Sequence, residues 1–367
     1  MQFWIVNSLI IFVISVIFTG VLIPKILLIA FRKNLFDKPD ERKIYVGSTP
    51  RLGGLAFFPV IAFSLALTLG VNFVFGNEFI LSVFEGNLLS LIFSLCSLTI
   101  LYLVGIADDL IGVRYTAKFF VQIVAAILLI SSGLYIDNLY GILGLFSLPL
   151  WVAYIFTIFV VVFIVNALNL IDGIDGLASG LSAMACLFYA IIFFLLGEYF
   201  YVFVAVATLG TIVPFFYYNV FGDVKKQKKI YMGDTGSLTI GLILSVLFIK
   251  LFTISDFSFV NDINVVVLAF SPLLIPCFDV VRVVIHRLKN KKNPFLADRN
   301  HIHHKLLDVG FSARKAMMLI VFGALFCVGF NILLSLNLNV NIVFAIDIVL
   351  YTLFNIWLTS RINNYKK

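Results

Sequence analysis

The chain is 367 residues long, 62% of them apolar or aromatic and only 12% charged, with a formal net charge of +7. A soluble domain carries about 45–50% apolar and about 25% charged residues, so this charge density is roughly half of what a water-facing surface needs. That is the composition of an integral membrane protein, and it excludes a disulfide scaffold, a disordered chain and a basic DNA-binding domain.

A helical span needs about 20 mostly apolar residues. In chain order, the runs 3–31, 53–75, 88–106, 117–134, 150–169, 177–197, 199–219, 236–254, 264–285, 316–336 and 340–360 predict an all-α, polytopic bundle of about eleven transmembrane helices. Leu, Ile, Val and Phe fill every face of these runs and no long stretch alternates, which argues against a β-barrel. No segment between them could bury a water-soluble core, so residues 1–367 are expected to form one membrane domain. The first run is too long for a removable signal peptide and lacks a small-residue cleavage site, so it reads as a retained span. Cys96, Cys186, Cys277 and Cys327 lie inside apolar runs without CxxC spacing and read as small core residues.

Lys and Arg concentrate in cytoplasmic loops. With eleven alternating spans, 25 of the 26 Lys and Arg fall on one side, as do twelve of the nineteen acidic residues. This predicts an N-terminus outside, a C-terminus in the cytoplasm, and polar clusters gathered on the cytoplasmic face.

The first of those clusters is Asp108-Asp109, directly after an apolar run. A carboxylate pair at the membrane boundary is costly unless a cation or hydrogen bonds hold it. A helix cap is the plainer alternative, since Asp is a favoured capping residue. In Asn166-Ala-Leu-Asn169-Leu-Ile-Asp172-Gly-Ile-Asp175-Gly, residues 166, 169 and 172 fall at i, i+3 and i+6, so one face of the fifth span turns polar. Two Asp-Gly turns behind an Asn ladder exceed what a simple turn requires. Tyr231-Met-Gly-Asp234-Thr-Gly-Ser237 opens the eighth span. Alone it reads as an N-cap, but its glycines and free helix-start amides suit a phosphate, and its carboxylate suits a bridging divalent cation. Last, Asn300-His301-Ile-His303-His304-Lys305 gathers three of the four histidines. No Cys or acidic residue at zinc spacing completes a tetrahedral set. Arg282, Arg287, Arg299 and Lys305 suggest a cationic pocket for an anion instead, whereas Lys289, Lys291 and Lys292 read as topological anchors. Carboxylate clusters beside a basic, His-bearing loop suit Mg²⁺ and a polyphosphate, and therefore phosphoryl transfer at the membrane surface. The alternative is an ion-coupled transporter, which would place charge near span centres, where Asp347 stands nearly alone.

The ordered set Asp-Asp-Leu-Ile-Gly, Asn-x-x-Asn-Leu-x-Asp-Gly-Ile-Asp-Gly-Leu, Met-Gly-Asp-Thr-Gly-Ser-Leu and His-Ile-His-His resembles the polyprenyl-phosphate N-acetylhexosamine-1-phosphate transferase superfamily. The His-Ile-His-His loop is similar to that of the WecA-type GlcNAc-1-phosphate transferases within it. The resemblance covers nearly the whole chain, from Asp37-Lys-Pro to the last span. It implies a bacterial cytoplasmic membrane enzyme that moves a sugar 1-phosphate from a UDP-N-acetylhexosamine to undecaprenyl phosphate. UMP is released, Mg²⁺ is the cofactor with Mn²⁺ as a substitute, no nucleic acid is involved, and a homodimer is compatible. It further implies that Asp108 and Asp109 are the essential pair near the lipid phosphate and that Asp234 is a Mg²⁺ ligand, with Asp108 and Asp109 as further candidate ligands. Asp172, Asp175 and Asn219 would shape the nucleotide and metal site, and Asn166 and Asn169 would contact substrate. Tyr231 falls where an aromatic stacks on uracil, and Arg282, His301, His303 and His304 would hold substrate phosphates. The first inner loop departs from the pattern, with Tyr45 where relatives have His and Gly47 where they have Pro.

Overall fold

The structure, a computed structural model, describes residues 1–35, 49–254, 263–293 and 300–365. Asp37, Tyr45, Gly47 and Arg299 lie outside the described residues.

The helices follow the apolar runs. They are α1 (Gln2–Arg32), α2 (Phe57–Val74, preceded by a 3-10 turn at Gly53–Ala56), α3 (Glu78–Gly86), α4 (Leu88–Ile111), α5 (Tyr115–Ser131) and α6 (Leu150–Ile171). After them come α7 (Leu177–Leu195), α8 (Tyr199–Phe221), α9 (Gly233–Thr253), α10 (Val265–Phe270), α11 (Leu274–Lys289), α12 (Ile302–Asp308), α13 (Ala313–Ser335) and α14 (Val340–Tyr365). Among the described residues ten helical segments are long and apolar enough to cross a membrane. The eleventh predicted span is α5, an apolar helix of only 17 residues, somewhat short of a straight crossing.

The span expected at 264–285 is broken. α10 stops at Phe270, a 3-10 turn carrying Pro272 follows, and α11 resumes at Leu274. Proline lacks the N–H that would continue the helical ladder and crowds the preceding turn, so the segment bends there. Three further elements have no counterpart in the expected spans: the short α3, the α12 turn inside the histidine loop, and an antiparallel hairpin, β1 (Asn138–Ile142) with β2 (Leu145–Ser147). The hairpin is fastened to the start of α14, where Asn341 Nδ2 donates to the Gly141 carbonyl (2.9 Å) and Asn341 Oδ1 accepts from Leu143 N–H (2.7 Å).

α9 is the centre of the bundle, buried along almost its whole length and packed against α4 and α6. A helix apolar all round belongs in such an interior. Without a hydrophobic drive between helices in lipid, polar pairs and close packing hold them together. Ser15 Oγ donates to Ser64 Oγ (2.9 Å) and Asn72 Nδ2 to Asn7 Oδ1 (2.9 Å), joining α1 to α2. Asn331 Nδ2 donates to Asp347 (2.9 Å), joining α13 to α14 and giving that intramembrane carboxylate a partner.

Candidate active site

The site begins where α4 ends against the start of α9. Gly105 on α4 lies so close to α9 that a Cβ there would come within 2.4 Å of Thr235 Cα. That approach delivers the carboxylate of Asp109 onto the free amides of α9. Its Oδ1 accepts from Asp234 N–H (2.8 Å) and its Oδ2 from Thr235 N–H (2.9 Å) and Thr235 Oγ1 (2.5 Å). The unsatisfied amides of a helix start need acceptors, and here the acceptor comes from another helix. Asp109 thus fulfils the capping alternative, for α9 rather than for a helix of its own neighbourhood.

Its neighbour is oriented differently. Asp108 Oδ1 accepts from Val113 N–H (2.6 Å), and its Oδ2 faces Lys118 Nζ (3.2 Å) on α5. The same ammonium lies 2.6 Å from Asp234 Oδ2. Two carboxylates, from α4 and α9, therefore converge on one cationic position. In the sequence Lys118 is simply one of the 25 Lys and Arg on the basic side. Its partner on α9, Asp234, is 116 residues away, a distance at which spacing carries no signal.

The Asn and Asp ladder reaches the same place from α6. Asn169 Nδ2 donates to Ser237 Oγ (2.9 Å) on α9. Asp172 and Asp175 line a cavity of about 120 Å³ together with Arg51, Asn169, Tyr231 and Asp234. Enclosure, with the carboxylates of Asp234 and Asp175 nearby, pushes Asp172 up to about 7 against the pull of Arg51. Burial also raises Asp175, although Lys229 forms an ion pair with it and pulls the other way. Asn219 lines the cavity but works as a staple: its Oδ1 accepts from Gly176 N–H (2.6 Å) and its Nδ2 donates to the Ile230 carbonyl (2.9 Å). Lys229 Nζ lies over the Tyr231 ring at 5.9 Å. Asn166 is turned away from this cavity and donates to Gln122 Oε1 (2.6 Å).

The histidine loop closes one side. His303 is buried with neither ring nitrogen hydrogen-bonded, and a Cβ on Gly173 would come within 2.0 Å of its Nε2. The loop and the Asp-Gly turns are thus in direct contact. Burial and the adjacent His304 and His301 hold His303 down at about 3, so it is neutral at ordinary pH. His301 Nδ1 donates to Asp279 Oδ2 (2.7 Å). Arg282, expected to hold phosphate, gives its Nη2 to Asp279 Oδ1 (2.8 Å) and to the Asn300 carbonyl, so its geometry serves the loop. Asp279 lies inside an apolar run and was missed. The signal that could have found it is the rarity of a carboxylate within a span.

Beside this chemistry runs an apolar groove of about 540 Å³, walled by Phe159, Phe163, Val280 and Val284, with Lys118, Asn166, Asn169, Arg287 and His301 also lining it. Asn169 lines both compartments, and Lys118, in the wall of the groove, reaches across to Asp234 in the wall of the polar cavity. Among the described residues no three His, Cys, Asp or Glu side chains form a preformed metal cluster. Mg²⁺ commonly takes only one or two protein carboxylates plus substrate phosphates. The convergence of Asp108 and Asp234 on the Lys118 ammonium, with Asp172 under charge pressure close by, fits such a sparse site. Asp109 fits it less well, because both its oxygens serve α9.

Residues 88–252 match the sequence profile of glycosyl transferase family 4. The undecaprenyl-phosphate alpha-N-acetylglucosaminyl 1-phosphate transferase of Pasteurella multocida is 34% identical over 90% of this chain and 88% of its own. The chain belongs to glycosyl transferase family 4. Enzymes of the same description from Haemophilus influenzae (32% identical, 82% of this chain and 79% of theirs) and Salmonella typhi (30%, 83% and 77%) are also similar to it. The family profile spans the Asp108, Asp172 and Asp234 clusters but stops before Asp279 and the histidine loop. The whole-length relatives extend the likeness over most of the chain.

Proposed function

We propose that this family 4 member transfers a sugar 1-phosphate, GlcNAc 1-phosphate or a related N-acetylhexosamine 1-phosphate, from a UDP-sugar to undecaprenyl phosphate. UMP is released, at the cytoplasmic face of a bacterial inner membrane, as the first step of cell-surface polysaccharide assembly. The observation that carries this reading is the meeting of two unlike compartments at Lys118: a carboxylate-lined polar cavity and an apolar groove. A donor that is all charge and sugar suits the first, and an acceptor with a phosphate on a long hydrocarbon suits the second.

An oxygen of the lipid phosphate attacks the β-phosphorus of the UDP-sugar. The new P–O bond forms as the bond from that phosphorus to the bridging oxygen breaks, and UMP departs with the oxygen. A phosphate monoester has its second pKa near ~6, so the acceptor is largely ionised at neutral pH and needs no strong base. Lys118, Arg287 and His301 line the groove and are suited to draw the lipid phosphate toward Asp108 and Asp234. Tyr231, at the cavity wall, offers a face for uracil. Asp108 and Asp234 would hold Mg²⁺, which supplies charge neutralisation on the diphosphate when bound. The rest of catalysis is alignment of the two phosphates, as in phosphoryl transfer generally.

The test is a panel of UDP-sugars presented with undecaprenyl phosphate to the purified protein, scoring UMP. Release with a UDP-N-acetylhexosamine, lost in EDTA and restored by Mg²⁺ or Mn²⁺, is the expected result. Release from none of the panel would overturn the reading.

A further inference from the structure

We infer that Asp279, which lies outside every motif of the sequence, is the positioning residue of the site. It fixes the ring of His301 so that one defined nitrogen is presented to the acceptor phosphate. The inference rests on the reading of the groove as the acceptor site.

Asp279 sits in the middle of the bent ninth span and is completely enclosed. Four donors from three elements converge on its two oxygens. Oδ2 accepts from His301 Nδ1 (2.7 Å). Oδ1 accepts from the first amide of α12, Ile302 N–H (3.0 Å), from Arg282 Nη2 (2.8 Å) and from Tyr351 Oη (3.1 Å) on α14. Arg282 extends the knot by donating to the Asn300 carbonyl, immediately before the histidine. A buried carboxylate is tolerated only when paired and hydrogen-bonded, and then it rigidifies what it binds.

The arrangement has a chemical consequence. An ionised carboxylate only accepts, so Nδ1 of the His301 ring carries a proton, and Nε2, on the opposite edge, is the nitrogen that donates to a phosphate when it too is protonated. His301 lines the apolar groove beside Lys118 and Arg287. Its ring also stacks on that of His303 at 5.7 Å and 8° between planes. On the helix that resumes after the Pro272 turn, Asp279 meets at once a loop supplied from beyond α11 and the last span. Carboxylates that hold the far nitrogen of a functional imidazole set its tautomer and orientation, and losing such a supporting partner typically costs about 10–100-fold in function.

The experiment is a double-mutant cycle on UMP release with undecaprenyl phosphate. Asp279→Asn offers one acceptor oxygen where two are used, so it should lower kcat/KM for the lipid roughly 10–100-fold. His301→Ala should lose at least as much. The double variant should lose no more than His301→Ala alone, with KM for the UDP-sugar within about threefold of wild type. Tyr351→Phe keeps the histidine contact and should stay within about threefold of wild type. Losses that multiply in the double variant would overturn the inference. A ¹⁵N-histidine spectrum tests it independently of turnover: a downfield Nδ1–H proton is expected in wild type, absent from His301→Ala and moved in Asp279→Asn. Its absence from wild type overturns the inference even if Asp279→Asn fails to fold. If wild type shows the proton but releases no UMP, the functional reading has failed while the positioning stands.

Discussion

Neighbouring aspartates at the end of α4 have unlike surroundings, and their variants should fail in unlike ways. Asp108 faces the shared cationic position with Asp234, whereas Asp109 supplies acceptors to three donors at the start of α9. Asp108→Asn and Asp234→Asn are expected to lower turnover by roughly 10²–10³-fold or more with an unchanged thermal midpoint. Asp109→Ala leaves those donors unmatched, about 1–3 kcal/mol for a buried orphan, and should lower the midpoint as well as the rate. Thermal melts of the three detergent-purified variants beside their rates check this. The pH dependence of Asp172 follows from its elevation to about 7. An acid raised above its unfolded value near ~3.9 binds its proton more tightly when folded, so stability falls as pH climbs between those values and the penalty is complete above the upper one. In metal-free protein Asp172→Asn should therefore raise the thermal midpoint at pH 8, with the gain vanishing toward pH 4, while activity is lost. A midpoint that drops at pH 8 would contradict it.

At the scale of elements, the site depends on how closely α4 and α9 meet. Gly105→Ala would press a methyl into the backbone of α9, so overpacking of about 1–3 kcal/mol and loss of turnover are expected together. Gly173→Ala meets only the His303 ring. It should therefore reduce turnover with a smaller change in midpoint, which distinguishes a displaced loop from a loosened bundle. The helices themselves were readable in advance, since runs such as 150–169 and 199–219 are long and apolar enough to dictate a span whatever they pack against. The break at Pro272 was not, because the flanking segments are apolar enough to read as one run. Asn166 and Asn169 show the same boundary within the site. Their i, i+3 spacing correctly put them on one face of α6, yet the bundle sends one toward Gln122 and the other toward Ser237. Asp279 and Lys118 are not legible in the sequence because the contacts that give them a role, with His301 and Tyr351 for the first and Asp234 for the second, come from other elements.

For the whole molecule, the asymmetric Lys and Arg predict that the Asp108, Asp175 and histidine clusters share the cytoplasmic side, with the β1–β2 hairpin on the other. In a cysteine-free background, a membrane-impermeant thiol reagent should label Leu143→Cys in intact cells and Lys226→Cys only after permeabilisation. The opposite pattern would invert the topology. The proposed transfer of a sugar 1-phosphate brings a donor in the polar cavity and an acceptor in the apolar groove together at Lys118 and Asp234. Its most direct test is UMP release from UDP-GlcNAc or a related UDP-N-acetylhexosamine, measured in Mg²⁺ with and without undecaprenyl phosphate, for wild type and Asp234→Asn. Release by wild type that requires the lipid phosphate and is abolished in the variant is the predicted result. Release that proceeds without the lipid, or that survives in Asp234→Asn, would contradict it.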